Sequence, residues 1–300
     1  IPTYNSAKYH REAIKSVLNQ TFTDFELIIS DNASIDDTYE IVKSFSDPRI
    51  KYYKNKKNIG MYPNFNKCVE YASGEYIKFL SADDYFHPKL LDLFLAVMSK
   101  SHKIGLGICS NEWVNENSQF IQYYERYPEN LIMGGEKAFR DFLLSGNGGA
   151  APSAAMVRRN CFNEIGNFKI INKTGWGNDW EMWMRILAKY DFAYIAEPLV
   201  SIRRHEKTGT YYVYRHNFDI VDDYRILHYI FDNIDKYIEL TYKEKRKALW
   251  RIGNKGIWRF LYYLKNRDLK QAKNILTTLK KYDSILVVSS LFIYLVFHNK

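Results

Sequence analysis

Through the first 110 residues, apolar-rich runs alternate with segments whose apolar positions recur every three to four residues. The runs FELIISD (25–31), IKYYKN (50–55), EYIKFLSADD (75–84) and IGLGICS (104–110) predict strands, and the intervening patterns at 8–20, 36–45, 62–72 and 88–99 predict helices. Helix starts are marked by Ser6, by the acidic residues of SIDDT (34–38) and by Pro88 at a first-turn position. This order predicts an α/β fold with a mostly parallel sheet flanked by helices. In open sheets of that kind ligands bind beyond the carboxyl ends of the strands, where Asp31, Asp83 and Asp84 fall. Further along, NDWEMWMRI (178–186) predicts a helix with Asp179 near its start and Trp183, Ile186 and Leu187 on its buried face. Residues 215–281 read as helical, with a turn near 266–268.

Composition narrows the class. A chain of 300 residues with 46% hydrophobic and 26% charged content is globular material, enough for one large core or for one domain with an appendage. The net charge of +9 is concentrated: 236–281 holds 14 Lys or Arg against 3 Asp or Glu. That basic stretch adjoins the apolar run 284–297, too short for a span of about 20 residues, so it points to a peripheral anionic membrane surface rather than to nucleic acid. A solvated basic face on a helical lid is the competing reading. The cysteines Cys68, Cys109 and Cys161 are far apart without metal-ligand spacing, which suits a cytoplasmic location. The opening IPTYN reads as the end of a strand, and no leader peptide is expected. Neither a dinucleotide-binding fingerprint nor a P-loop occurs.

The adjacent Asp83 and Asp84 carry the chemistry. Two carboxylates at a strand end raise each other's pKa unless donors or a cation keep them charged, and hard oxygen ligands suit Mg²⁺ or Mn²⁺ together with substrate phosphates. A solvated turn that caps the following helix is the alternative.

Four blocks set that choice in context: IPTYN (1–5), ELIISDNASIDDT (26–38), NIGMYPNFNKCVEYASGEYIKFLSADD (58–84) and GNDWEMWMRILAKYDFAYIAEPLVSIRRH (177–205). In this order they resemble the family 2 glycosyltransferases, inverting enzymes of GT-A fold. The resemblance implies a GT-A type nucleotide-diphospho-sugar transferase domain over 1–210, with a nucleotide-sugar-binding half (1–110) and an acceptor-side half (111–210). Residues 211–300 then form a helical, basic and apolar extension. It implies nucleotide-sugar binding by Pro2, Thr3, Tyr4, Asn5, Asp31, Asn58, Gly60, Asp83 and Asp84, with Asp31 accepting from the pyrimidine N3. It further implies a Mn²⁺ or Mg²⁺ ion on Asp84 and His205, diphosphate contacts from Arg204 and His205 with Arg203 as an alternative, and Asp179 as the catalytic base, with Glu181 next in line. Trp176 and Trp180 are candidates for stacking on an acceptor sugar. Two positions depart from the family pattern. Phe65 stands where many relatives have Arg, leaving Lys56, Lys57 or Lys67 to supply charge, and Asn178 replaces the Glu that usually precedes the base.

The function implied is transfer of a sugar from a UDP-sugar, or another pyrimidine nucleotide sugar, to a glycan or lipid-linked glycan acceptor in bacterial surface polysaccharide synthesis. The expected place is the cytoplasm, at the inner face of the cell membrane. Two other classes stay in view: a nucleotide-sugar-binding protein without turnover, and a basic nucleic-acid-binding module.

Overall fold

The computed structural model describes residues 1–234 and 237–282, so the apolar run 284–297 lies outside the described residues. In chain order the elements are β1 (Pro2–Thr3), α1 (Ala7–Leu18), β2 (Leu27–Asp31), α2 (Thr38–Lys43), β3 (Ile50–Lys54), α3 (Met61–Tyr71), β4 (Tyr76–Lys78), β5 (Tyr85–Phe86), α4 (Leu90–Met98) and β6 (Ile104–Val114). There follow β7 (Phe120–Tyr124), β8 (Leu131–Met133), α5 (Gly135–Ser145), β9 (Ala155–Arg158), α6 (Arg159–Ile165), α7 (Asn178–Leu187) and β10 (Asp191–Arg203). The chain then turns helical: α8 (Gly209–Arg215), α9 (Phe218–Ile234), α10 (Tyr242–Lys265) and α11 (Leu269–Tyr282).

The periodicities explain the layers. In α1 the residues His10, Ala13, Ile14 and Val17 recur every three to four positions and are the ones buried, whereas all five residues of β2 are buried, as a parallel strand covered on both faces requires. β1, β2 and β3 pair in parallel, with Thr3 opposite Asp31 and Asp31 opposite Lys54. The second sheet runs β4-β9-β6-β10-β5, with β7 on β6 and β8 on β10. The α/β class therefore holds, but the mostly parallel sheet does not extend past β3. Only β6 and β10 pair in parallel in the larger sheet, and its other pairs are antiparallel. The short connection of the hairpin β6–β7 has no room for the crossover that parallel pairing needs.

Two local differences matter for the site. The run 75–84 is a strand only at Tyr76–Lys78, so Asp83 and Asp84 sit in the turn that leads into β5. Pro88 precedes the helix: α4 starts at Leu90 after Lys89, and the Pro88 carbonyl accepts from the Thr21 amide. Helix α7 is buried on every side because α5, α6, α9 and β6 all pack on it. One apolar cluster reaches from the first strand to Leu279, and it includes Ile220, Tyr224, Leu227 and Ile252 of the C-terminal helices. The extension beyond residue 210 is thus built into the same core. Thr241 and Glu244 form a capping box at the start of α10, and Arg140 of α5 bridges to the same Glu244.

Candidate active site

A cleft of about 1520 Å³ opens where β1, β6 and β10 end. Of the residues singled out from the sequence as binding or catalytic, all line it except Asp31, the fallback Glu181 and the alternative cations Lys56, Lys57 and Lys67.

The first stretch of lining comes from the amino-terminal sheet. Thr3 is buried with its hydroxyl unpartnered, and Tyr4 is exposed beside it. Asn5, at φ 49°, donates its amide to Ser34 Oγ at 2.9 Å and accepts from the Ile35 amide at 3.0 Å, tying β1's end to the loop after β2. Asp31 lies beneath this surface. It is fully buried, and its oxygens accept from the Ser34 amide at 2.8 Å and the Tyr52 hydroxyl at 2.5 Å. The structure thus puts it off the cleft lining, where the resemblance expected a base contact, and leaves Asn32 as the lining residue next in sequence. Asn32 donates to Asn58 Oδ1 at 2.8 Å, and the same oxygen accepts from the Gly60 amide at 2.9 Å. Gly60, at φ 93°, occupies backbone space that a side chain would strain. Asp36, read as a first-turn residue of α2, precedes that helix. It accepts from the amides of Ala7 and Thr38, each at 3.1 Å.

The second stretch gathers charge. Asp84 is buried, with Oδ2 accepting from Ser153 Oγ at 2.6 Å and Oδ1 from the Arg203 amide at 2.9 Å. Burial, and then the neighbouring Asp83 charge, push its carboxyl up to about 7 against those two donors. Asp83 is more open, and its Oδ2 stands 3.2 Å from His205 Nε2. The pair forms because the Arg203 amide docks on Asp84 and carries His205, two residues later, over the turn. Arg203 itself is consumed structurally: Nε donates to the Asp83 carbonyl at 2.9 Å, Nη1 to Ser118 Oγ at 2.9 Å, and Nη2 pairs with Glu12. Arg204 is a free cation beside the Asp83–His205 pair. It stacks on Trp113 at 3.9 Å and makes no ion pair among the described residues, and its Nε is buried without a partner. Lys56, Lys57 and Lys67 are off the lining, and Lys67 pairs with Glu70 at 2.8 Å, so the charge missing at Phe65 is not restored there.

The third stretch centres on Asp179, the second residue of α7. Its Oδ1 accepts from the Trp180 amide at 2.9 Å and its Oδ2 from Asn147 Nδ2 at 3.0 Å. Burial pushes its carboxyl up to about 6, opposed by those same donors. Asn147 belongs to the turn 146–149, whose Gly146, Gly148 and Gly149 all have positive φ. Glu181 is excluded from the cleft: it is fully buried and held by Arg185 at 2.6 and 2.9 Å. Asn178 is likewise buried, its Oδ1 accepting from the Ile171 amide at 3.4 Å. Trp176 lines the cleft with Nε1 donating to Asp223 at 2.8 Å, and Trp180 is buried against Arg251. Asp223, Arg251 and Lys255 come from α9 and α10 and were not foreseen. Only the basic character of 236–281 hinted at two of them.

Among the described residues no group of three or more His, Cys, Asp or Glu is arranged to hold a metal ion, and no helix is long and apolar enough to cross a membrane. The three cysteines are free and buried.

Residues 1–166 match the family model described as glycosyl transferase family 2. An uncharacterised glycosyltransferase of Methanocaldococcus jannaschii is 31% identical over 206 residues, covering 67% of this chain and 68% of its own length. The GalNAc(5)-diNAcBac-PP-undecaprenol β-1,3-glucosyltransferase of Campylobacter jejuni is 30% identical over 199 residues, 64% of this chain and 60% of its own. Residues 1–349 of S. aureus TarS, solved with UDP-GlcNAc, superpose with a TM-score of 0.59 at 16% identity over 93% of this chain and 90% of that one, which shows a common fold.

Proposed function

The chain belongs to glycosyl transferase family 2, and we propose that it transfers a sugar, with inversion, from a UDP-sugar to a glycan or lipid-linked glycan acceptor in bacterial surface polysaccharide synthesis. One observation carries this reading: a single cleft holds the buried Asp179 carboxylate, pushed up to about 6 by burial, and, from other elements, an unpaired Arg204 beside the Asp83–His205 pair. The lipid-linked acceptor class is supported by the Campylobacter relative's name, and the UDP-sugar by the nucleotide sugar bound to TarS.

Asp179 takes the proton of the acceptor hydroxyl as that oxygen bonds to the anomeric carbon. The bond from that carbon to the diphosphate oxygen breaks on the opposite face, and UDP leaves with the electron pair. Asn147 and the Trp180 amide hold the carboxylate in place, while Arg204 faces the charge that develops on the leaving diphosphate. Asp83 and His205 fit two ligands of a Mn²⁺ or Mg²⁺ ion, since such ions take one or two protein donors and complete their shell with phosphate oxygens and water. Such an ion, when bound, supplies neutralisation of the diphosphate. Asp84, whose oxygens both serve Ser153 and Arg203, fixes the turn instead of meeting the ion directly. Thr3, Tyr4 and the Asn32–Asn58 pair border the space for the base and ribose.

The protein works at an anionic membrane surface on this reading. Trp250, Trp258 and Tyr262 are exposed at helical spacing along α10, with Lys243 and Lys247 on the preceding turns. Calorimetric titration with UDP-, GDP- and CDP-sugars, with and without Mn²⁺, tests the donor assignment. Preference for UDP-sugars supports it, and equal or absent binding of all three overturns it.

A further inference from the structure

Arg251 presents a charge that the transfer chemistry does not use. It reaches into the cleft from α10, yet Nε and Nη2 are buried without hydrogen-bond partners, and it enters no ion pair among the described residues. Leaving a guanidinium in that condition is costly unless something brings an opposite charge to it. Of the nearby charges only Asp223 attracts it, and that attraction is shared. Asp223 already accepts from Trp176 at 2.8 Å and from Lys255 at 3.2 Å, and Arg126, a like charge, is tied to Asp141 at 2.7 Å. The guanidinium is also firmly placed. It lies 5.3 Å from the Trp180 ring centre and so close to Gly146 that a Cβ there would meet Nη1 at 2.6 Å.

We infer that Arg251 is the recognition element of an acceptor subsite for an oxyanion, a phosphate ester or carboxylate carried on the acceptor sugar or polyol. The guanidinium fork matches either group in a two-point hydrogen bond. Its position selects the acceptor over the donor. Gly146 is followed by Asn147, which holds the base Asp179, so an anion on Arg251 lies against the same turn that positions the group deprotonating the acceptor. Trp176 in the same lining offers an aromatic face to a sugar ring. The helical extension thereby serves as part of the acceptor site. This inference rests on the assignment of Asp179 as the base.

The test is calorimetry on the full chain saturated with UDP, titrated in turn with glycerol 1-phosphate, glucuronate and glucose. One or both anions should bind while glucose does not, and the stronger anion identifies the acceptor group. Arg251→Gln should weaken the anion at least about tenfold, Arg251→Lys should recover part of the loss, and UDP affinity should be unchanged in both. Absence of anion binding by the parent, or equal anion affinity in the parent and Arg251→Gln, overturns the inference. A parent that fails to bind UDP refutes the donor assignment, and the anion titrations repeated without nucleotide still decide Arg251. If neither variant folds, glycerol phosphate should shield Arg251 of the parent from phenylglyoxal, read by peptide mass, and lack of shielding overturns the proposal.

Discussion

On the proposed reading, the nucleotide side of the cleft is stitched together by hydrogen bonds among β1, β2, the loop after β2 and the segment leading into α3. Asn5 bonds Ser34 and Ile35, Asn32 bonds Asn58, Ser30 bonds Asn64, and apart from the Thr3 hydroxyl these polar groups are satisfied. The acceptor side joins three segments through Asn147 to Asp179, Trp176 to Asp223 and Thr174 to Asp222. There Asn147 Oδ1, Trp180 Nε1 and two nitrogens of Arg251 stay buried and unpaired. Buried polar atoms are nearly always bonded in folded proteins, so a concentration of orphans in one part of a cleft marks groups kept for a ligand. On the proposed reading the donor pocket is largely preformed, with Thr3 Oγ1 and Arg204 Nε its unpaired atoms, and the acceptor pocket is completed by what it binds.

Breaking the acceptor side at Asp179 has the largest expected effect. Asp179→Asn should lower transfer by about 10²- to 10⁴-fold while UDP affinity holds. The carboxyl is raised by burial above its ordinary value, so between about pH 4 and 6 the folded state binds the extra proton and stability falls as pH rises through that window. The amide variant escapes that loss and should melt no lower than the parent at pH 7. In the parent, transfer should rise with pH up to about 6, as the base ionises, and level off above it. A parent profile flat between pH 5 and 7, or a variant that transfers at the parent's rate, would remove Asp179 from the chemistry.

Glu181, two residues further along α7, sharpens the contrast. Its bidentate pair with Arg185 is fully enclosed, so Glu181→Ala should cost about 3–5 kcal/mol in urea denaturation by stranding a buried guanidinium. The surviving folded fraction should retain its UDP affinity. A normal urea midpoint would show that the pair is not structural.

Why these neighbours were hard to separate in the sequence has a physical answer. The motifs around 31, 83–84 and 177–205 placed the carboxylates and cations in one region, because strand ends and helix starts are local features. Which member of an adjacent pair faces the cleft depends on pairing register. Arg203 ends β10 and turns into the interior, so Arg204 is left free, and the docking of the Arg203 amide onto Asp84 gives Asp83 to His205. Asp31 lies under the surface for a related reason: it continues the buried run of β2, and its carboxylate meets Tyr52, a partner on the adjacent strand. Arg251 was unreadable, since only the packing of α10 against α5 and the Gly146 turn brings it to the cleft.

The Asp83 assignment can be broken on the donor side. Asp83→Asn should reduce the Mn²⁺-dependent gain in UDP affinity at least about tenfold, by comparison with the 10- to 100-fold typical of weaker outer contacts. Asp84→Asn should change thermal stability more than metal dependence, because its oxygens hold Ser153 and the Arg203 amide. Calorimetry with and without Mn²⁺ separates them. If Asp84→Asn alone abolished the metal effect, Asp84 would return as the direct ligand.

The smallest effect concerns the outer face of α10. Removing the helix altogether would be uninformative, since Ile252, Phe260 and the cleft residue Arg251 belong to it. Substituting Trp250 and Trp258 with Ala leaves that inner face alone, as both are exposed. If they insert at a membrane interface, their loss should weaken binding to phosphatidylglycerol vesicles by roughly tenfold, the scale expected for apolar area withdrawn from an interface. The lysines Lys243 and Lys247 add an electrostatic part, so salt should weaken parent and variant alike on anionic vesicles and have little effect on neutral ones. UDP affinity should stay put, because neither tryptophan lines the cleft. Sedimentation that finds parent and double variant bound equally would leave the aromatic row without a membrane role and the basic charge as a solvated face of the helix.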